Sequence, residues 1–188
     1  MPNLYRMFVR PEGIDGERGI DLMEQLGDGM ANEAVANLRL TPTDEVIEIG
    51  FGPGIALQIL VQTVPQGHVT GVDPSRLMHR RAGLRNETAI RAGRIKLIEG
   101  TVDALPFAAA SFDAALAMDN LHFWPDRLAG LKELRRVLRP GSPFLCSFTP
   151  PSGGSTVGLA KDMVAASFVD IEQVACLKGQ AIVCRVPR

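Results

Sequence analysis

The chain has 188 residues, which at roughly 150 residues per domain predicts one domain with a sizeable core. It carries 20 basic and 21 acidic residues, a net charge of −1, and 46% hydrophobic residues. This balance argues against a nucleic-acid or membrane-surface protein and favours small or neutral partners. The composition also excludes a disordered or fibrous chain.

The first residues do not resemble a secretion signal, because arginines and acids stand where an apolar stretch is required. No run reaches the ~18 apolar residues that a membrane-spanning helix needs. We therefore expect a cytoplasmic protein that does not enter a membrane. Cys146, Cys176 and Cys184 lack metal-type spacing and lie in apolar segments predicted as strands. We expect reduced core thiols and no metal site.

Charge is distributed less evenly along the chain than the totals suggest. Nine acids and two bases occupy residues 12–45, whereas seven bases and one acid occupy residues 76–96. The basic segment has the charge of an anion-binding or nucleic-acid surface. We favour a solvated helix face, because no aromatic side chain is interleaved with the bases to stack on a nucleotide base.

Hydrophobic periodicity and turn residues predict alternating strands and helices, which is typical of a parallel sheet covered by helices. The last two strands are too close for a crossover helix, so they are predicted to form an antiparallel hairpin. The predicted helices cover residues 30–38, 55–60, 75–90, 126–138 and 157–167. The predicted strands cover residues 46–49, 68–72, 94–98, 112–118, 143–149, 168–177 and 180–186.

A glycine-rich loop, GFGPG at residues 50–54, follows the first predicted strand and precedes a helix. Glycine permits a sharp turn, a positive φ and a close approach of the backbone to a ligand, and the following helix presents free N–H groups. We therefore expect a small polar ligand here. The dinucleotide pattern G-x-G-x-x-G/A is related, but its last position falls on Ile55, which is wrong for close helix packing.

Asp73 follows the second predicted strand, 19 residues after Gly54. A carboxylate at this place can accept two hydrogen bonds from a ribose diol. The alternative is a helix N-cap, a role that Ser75 fills equally well. The distance from the glycine loop favours ligand contact.

Five segments in this order resemble the signature of the class I S-adenosylmethionine-dependent methyltransferases, in particular the small, methyltransferase-11-like subgroup. They are VIEIGFGPG (46–54), GVDPS (71–75), EGTVDALPF (99–107), SFDAALAMDNLHFW (111–124) and RVLRPG (136–141). The resemblance runs from about residue 30 to the end of the chain. It implies an α/β fold, a three-layer α-β-α sandwich with a Rossmann-like, mostly parallel seven-stranded sheet and an antiparallel C-terminal hairpin strand.

The expected organisation is a single methyltransferase domain over residues 1–188. Residues 1–40 form a helical lid segment, 41–150 the cofactor-binding core, and 151–188 a C-terminal helix and hairpin. Family members commonly place specificity elements before the first strand and after the fifth. Because the second of these segments is short here, the first 30 residues must supply much of any lid.

The resemblance implies which residues hold S-adenosyl-L-methionine. Glu48 and the three loop glycines would surround its methionine end, and Asp73 would hold the ribose hydroxyls. The predicted cofactor-binding residues are Glu48, Gly50, Gly52, Gly54, Asp73, Pro74, Met78, Thr101, Val102 and Met118.

The adenine contacts depart from the family pattern at one position. Pro74 and Met78 would flank the ring, with the backbone of Val102 at its edge. The acid that commonly binds the adenine amino group is replaced by Thr101. A hydroxyl accepts that bond more weakly, and Asp103 is the alternative acceptor.

The acceptor side is predicted after the fourth strand, because ligands of open α/β sheets lie beyond the carboxyl ends of the strands. His122 is the first candidate general base, since its ordinary pKa of about 6.5 suits proton removal at neutral pH, and Asp119 is the second. A loop hydrogen bond is the alternative role of His122. The predicted substrate pocket comprises Tyr5, Asn120, Phe123 and Trp124.

These features predict an enzyme that transfers a methyl group from S-adenosyl-L-methionine, by direct in-line displacement, to a small-molecule acceptor. We expect no nucleic-acid or membrane partner, and a homodimer is a further option because a second subunit would extend the cover of the site. The alternative is a non-catalytic, methyltransferase-like binding or regulatory subunit. The short cover segment and Thr101 favour that alternative.

Overall fold

The computed structural model describes residues 5–9, 11–177 and 179–188. Its seven strands form one sheet, and they are β1 (Glu45–Ile49), β2 (His68–Asp73), β3 (Ile95–Glu99), β4 (Ala114–Met118), β5 (Pro143–Phe148), β6 (Val169–Val174) and β7 (Gln180–Arg185). The order is β3-β2-β1-β4-β5-β7-β6. Strand β7 runs antiparallel to β5 and β6, which confirms the predicted terminal hairpin.

Six α-helices in the described part of the chain cover the two faces of the sheet. They are α1 (Gly13–Leu38), α2 (Ile55–Thr63), α3 (Arg76–Arg85), α4 (Glu87–Arg91), α5 (Arg127–Val137) and α6 (Leu159–Ala165). Buried side chains of α1, α2 and α3 form one apolar cluster with the sheet, and those of α5 and α6 form another. The three-layer α-β-α prediction is therefore confirmed.

The central strands are buried on both faces, as a parallel sheet between two helical layers requires. In the register of β1 with β4, Val46 pairs with Ala114 and Ile47 with Ala115. The first pair belongs to the cluster with α1 and the second to the cluster with α5. Because successive strand residues point to opposite faces, one short apolar run contributes to both cores.

Helix α1 corrects the prediction for the N-terminal segment, which assigned a helix only to residues 30–38. The helix begins at Gly13, so its first 17 residues were missed because glycines and acids obscure the apolar periodicity. The glycines have a packing role. A Cβ on Gly16 would lie 2.8 Å from Leu77, and one on Gly19 would collide with the backbone of Met7. They let α1 lie against its neighbours.

The single helix predicted over residues 75–90 is two helices, because Asn86 ends α3 and precedes α4. The buried Asn86 amide donates to the carbonyls of Ala82 and Gly54, at 3.1 and 3.0 Å. Ser75 caps α3, since its hydroxyl accepts from the Met78 amide, and this agrees with the predicted capping role.

Two strand predictions also need correction. Strand β4 begins at Ala114, and Phe112 makes only an isolated parallel bridge to Leu138. Strand β6 ends at Val174, so Cys176 lies beyond it and is partly exposed, whereas Cys146 and Cys184 are buried in β5 and β7. Within the described ranges, no helix combines the length and apolar character needed to cross a bilayer.

Candidate active site at the carboxyl ends of the strands

A cavity of about 630 Å³ opens at the carboxyl ends of β1, β2 and β4. The strand order reverses between β1 and β4, and such a reversal leaves a crevice in an open α/β sheet. Fourteen of the predicted site residues line this cavity: Tyr5, Glu48, Gly50, Gly52, Asp73, Pro74, Met78, Thr101, Val102, Met118, Asp119, Asn120, Phe123 and Trp124. Gly54 and His122 do not line it.

The glycine loop is held in a conformation that favours glycine. Gly50 and Gly52 have φ of 67° and 52°. The Gly50 amide donates to the Val72 carbonyl at 2.7 Å, and the Gly52 amide donates to Asp73 Oδ2 at 3.1 Å. A Cβ on Gly52 would meet only the Met23 sulfur, at 3.8 Å, so the missing side chain leaves open space beside the loop.

Gly54 serves the packing of α2 on α3. Its φ is 81°, and a Cβ here would lie 2.7 Å from Asn86 Nδ2 and 2.8 Å from Ala82 Cβ. The third glycine of the loop is therefore needed because another helix approaches closely. Gly54 was predicted to bind the cofactor, but it does not line the cavity, and helix packing explains why a glycine is present here.

Asp73 lies at the end of β2 and is buried. Its Oδ1 accepts from the Ser75 amide at 2.8 Å, and its Oδ2 accepts from Gly52. Burial raises the pKa of Asp73 to about 6, although these two hydrogen bonds and nearby His79 oppose the rise. The ring of His79, which contacts the Asp73 carbonyl at 2.9 Å, is a neighbour that the sequence did not indicate.

Glu48 is a buried carboxyl with unused hydrogen-bonding capacity. The residue is 2% exposed, and its Oε2 has no hydrogen-bond partner among the described residues. Burial, and secondarily the charge of Asp73, raise the pKa of Glu48 well above its ordinary value. A buried polar atom without a partner is costly, so its place in a cavity wall indicates a ligand group that would pair with it.

Asn120 joins the end of β1 and the glycine loop to Trp124, which also lines the cavity. Its Nδ2 donates to the carbonyls of Ile49 and Met118 at 2.6 and 2.8 Å, and its Oδ1 accepts from Trp124 Nε1 at 3.0 Å. A Cβ on Gly50 would lie 2.7 Å from the Asn120 amide. This side chain therefore fixes both the end of β1 and the position of the indole.

Asp119 lines the cavity, but its carboxylate is engaged. Oδ1 accepts from the Thr149 amide at 2.6 Å, and Oδ2 accepts from the Thr149 hydroxyl at 2.7 Å. Its φ is 54°, which is unusual for a residue with a side chain. Asp119 thus connects the ends of β4 and β5.

His122 faces the segment after β5. Its Nε2 contacts the Ser152 carbonyl at 3.1 Å, and its ring lies against Phe148 with centroids 5.5 Å apart. Burial lowers the pKa of His122, and its Nδ1 has no hydrogen-bond partner in the described part of the chain. The loop hydrogen bond, which was the alternative role of His122, is the one the structure contains.

The N-terminal segment contributes to the cavity walls. The sequence predicted this for the segment as a whole but named only Tyr5 as a pocket residue. Phe8, Leu22 and Met23 line the cavity together with Tyr5, and Pro151 adds a wall from the segment after β5. None of these five side chains is charged, so they extend the cavity with largely apolar surface.

Helix α1 is fastened over the site by ion pairs with α3. Arg85 pairs with Glu24 at 2.9 Å, and Arg81 pairs with Glu17. The opposite charges of segments 12–45 and 76–96 were a signal for this contact, although the bases were predicted to lie on a solvated face. Arg85, which is 27% exposed, departs from that prediction, whereas Arg81 is paired with α1 but stays 36% exposed.

The residues present fit S-adenosyl-L-methionine. The Glu48 oxygen, unpaired among the described residues, suits a cationic amino-acid group, and the space beside Gly52 admits a ligand close to the backbone. Asp73 retains lone pairs for hydroxyl donors, and Met78 and Val102 supply apolar surface for a flat ring.

Comparison with known proteins indicates the family of this chain. A family model described as a methyltransferase domain matches residues 47–146, just over half of the chain. The uncharacterized methyltransferase YdaC of Bacillus subtilis is 28% identical over 159 residues, which cover 80% of this chain and 86% of YdaC. The O-methyltransferase rstn1 of Aspergillus nomiae is 30% identical over 135 residues, and the match covers 72% of this chain but only 60% of rstn1.

A solved structure shows the same fold. It is the complex between the Haloferax volcanii Trm112 methyltransferase activator and a methyltransferase, with a TM-score of 0.78 at 21% identity. The likeness covers 90% of this chain and 93% of that chain. The family match also includes the glycine loop, Asp73 and the residues after β4 that line the cavity. The chain therefore belongs to the class I S-adenosylmethionine-dependent methyltransferases.

Proposed function

We propose that this protein binds S-adenosyl-L-methionine and transfers its methyl group to a small-molecule acceptor. The observation that carries the proposal is a buried Glu48 oxygen that finds no partner among the described residues and lies in the same cavity as the glycine loop and Asp73. A buried carboxyl without a partner is explained when a cationic ligand supplies one. The O-methyltransferase named among the relatives supports the reaction class.

Each part of the cavity has a role in holding the cofactor. Glu48 and the backbone at Gly50 and Gly52 hold the amino-acid end, and Asp73 accepts hydrogen bonds from the ribose. Pro74 and Met78 flank the adenine, with Val102 and Thr101 at its edge. Asp103 also lines the cavity and remains the alternative partner for the adenine amino group.

The bound cofactor supplies a methyl group already activated by a positively charged sulfur, so the protein mainly supplies alignment. Asn120 and Trp124 hold the wall that places an acceptor atom in line with the methyl group, and such alignment contributes ~7–11 kcal/mol in favourable cases. Asp119 is a better candidate for the proton acceptor than His122, because it lines the cavity. The cytoplasmic location and the homodimer stay predictions from the sequence.

Isothermal titration calorimetry with S-adenosylhomocysteine tests the proposal. Gly52→Arg fills the space beside the loop and Asp73→Ala removes the ribose partner, so each variant should weaken binding at least ~10-fold. Leu84→Ala, at an exposed position of α3, is the matched control and should bind like the natural protein. Unchanged binding in both site variants would remove the site assignment.

A non-catalytic, methyltransferase-like subunit is the second candidate. It is favoured by the engaged carboxylate of Asp119 and by the position of His122 outside the cavity lining, which leave neither predicted base free in the cavity. Cofactor binding without turnover of a broad acceptor panel, together with co-purification of a larger protein, would support this candidate. Turnover of any acceptor by the isolated chain would exclude it.

A further inference from the structure

Outside the glycine loop, much of the cavity lining is apolar. We call this surface the acceptor wall and define it by Tyr5, Phe8, Leu22, Phe123, Trp124 and Pro151. Three separate parts of the chain supply it: the N-terminal segment with α1, the segment after β4, and the segment after β5. An apolar ligand surface placed against such walls gains free energy by leaving water.

Four polar side chains at or beside the acceptor wall, Asn120, Trp124, Thr149 and Ser152, use hydrogen bonds inside the protein. The Thr149 hydroxyl donates to Asp119, and the Ser152 hydroxyl donates to the Thr149 carbonyl at 2.8 Å. The Trp124 N–H donates to Asn120, whose own N–H groups donate to backbone carbonyls. These groups therefore offer few unused donors to an acceptor molecule.

The charged side chains that line the cavity are all acidic in the described part of the chain: Glu48, Asp73, Asp103 and Asp119. Neighbouring arginines on α3 are directed to acids outside the cavity lining, since Arg85 pairs with Glu24 and Arg81 with Glu17. An anionic acceptor would lose its hydration on entering and would meet no cation among these residues. Carboxylates and phosphates are normally bound by Arg or Lys for this reason.

We infer that the acceptor is an uncharged, largely apolar molecule, and that the acceptor wall selects it against carboxylates and phosphates. The inference rests on the proposed function, because it assigns the remainder of the cofactor cavity to the acceptor. The selection has two physical parts. Apolar burial favours the neutral molecule, and the acidic lining disfavours an anion.

The test uses three naphthalene probes that share one ring system: 1-naphthol, 1-naphthoate and 1-naphthyl phosphate. Each is titrated by calorimetry into protein saturated with S-adenosylhomocysteine at pH 7. We expect 1-naphthol to bind at least ~10-fold more tightly than either anion. Equal or tighter binding of an anion, or no binding of 1-naphthol, overturns the inference.

A cation placed on the acceptor wall supplies a second test. Leu22→Lys adds the charge at a position that is 41% exposed, and it should shift the naphthoate-to-naphthol affinity ratio toward naphthoate by at least ~5-fold. Leu84→Lys, on the exposed face of α3, is the matched control and should leave the ratio unchanged. An unaltered ratio in Leu22→Lys contradicts the role of the wall. Failure to bind S-adenosylhomocysteine, measured first, refutes the proposed function instead, so the two failures are distinguishable.

Discussion

Asn120 Oδ1 accepts a hydrogen bond from Trp124 Nε1 at 3.0 Å, while the amide of the same side chain donates to the carbonyl of Ile49 at the end of β1. One side chain therefore links the strand that leads into the glycine loop to the indole on the acceptor side. The link is measurable because Trp124 is the only tryptophan in the chain.

Asn120→Leu should lower the free energy of unfolding by roughly 2–4 kcal/mol, because it leaves the Ile49 and Met118 carbonyls and the indole N–H without this partner. Urea titration followed by Trp124 fluorescence measures the loss. Trp124→Phe removes the indole N–H and part of the ring beside Gly130 but leaves the bonds of Asn120 to the backbone, so, followed by circular dichroism, it should cost less. A loss in Asn120→Leu no larger than that in Trp124→Phe would contradict a stabilising role for the backbone bonds of Asn120.

Gly52 and Gly54 should respond differently to the same substitution. Gly54→Ala forces a Cβ against Asn86 and Ala82 at a positive φ, so it should cost roughly 2–4 kcal/mol of stability. Gly52→Ala meets open space and carries only the backbone strain, roughly 1 kcal/mol, but its methyl group should weaken binding of S-adenosylhomocysteine. Thermal unfolding measures the stability of both variants, and calorimetry measures their binding of S-adenosylhomocysteine. A larger loss of stability in Gly52→Ala than in Gly54→Ala would contradict the packing role of Gly54.

Asp73 should make the ligand-free protein less stable as pH rises. Its folded pKa of about 6 lies above the ordinary value of 3.8, so the folded state retains a proton that the unfolded state has lost between these values. The contribution of Asp73 is therefore fully present below pH 3.8 and is lost as pH rises through 6, with a total change of roughly 3 kcal/mol.

The measurement compares free energies of unfolding of the natural protein and Asp73→Asn from pH 4 to pH 7. Stability of the natural protein should fall relative to the variant across this interval. Burial, the larger cause of the raised pKa of Glu48, is present in both proteins and cancels, whereas the smaller contribution of the Asp73 charge belongs to the measured difference. A difference that stays flat or grows with pH would contradict the assignment to Asp73.

The Arg85–Glu24 ion pair should help to hold α1 over the cavity. Both side chains are about one-third exposed or less, and Arg85 also donates to the Pro53 carbonyl at 3.1 Å. Arg85→Ala should cost about 1 kcal/mol and increase amide exchange in α1. Arg91→Ala breaks an ion pair with Glu87 within α4 that is far more exposed. This variant should lower the free energy of unfolding by only a few tenths of a kcal/mol. Similar exchange in both variants would argue against the fastening role.

His122→Gln should leave the binding of S-adenosylhomocysteine within about a factor of two, because the imidazole lies outside the cavity lining. Asp119→Ala should perturb binding more, since it removes both hydrogen bonds to Thr149. Calorimetry on the two variants gives the order. If His122→Gln weakened binding more than Asp119→Ala does, His122 would have to contribute to the binding site.

Much of the fold was predictable because its signals are local. Alternating apolar strands, the glycine loop and the short link of the terminal hairpin each occupy neighbouring residues, and the structure contains all three. The start of α1 was not predictable in the same way. Its glycines disfavour a helix locally, and the helix is stable because they pack against Leu77 and Met7, which lie elsewhere in the chain.

The residues of the candidate site also fall into those predictable from local sequence and those that depend on distant contacts. Asp73 and the first two loop glycines could be predicted from their positions after strands, because parallel strands bring their carboxyl ends to one edge, whereas Glu48 was implied by the family resemblance. The positions of Gly54 and His122 depend on contacts with α3 and the segment after β5, which no local pattern contains.

The sequence by itself determined the strand–loop–helix units and the order in which polar residues reach the edge of the sheet, since both depend on the periodicity and conformational freedom of adjacent residues. Only the tertiary structure decided which of those residues face the cavity. The direction of a side chain is set by packing against distant elements, as the pairing of α1 acids with α3 arginines shows.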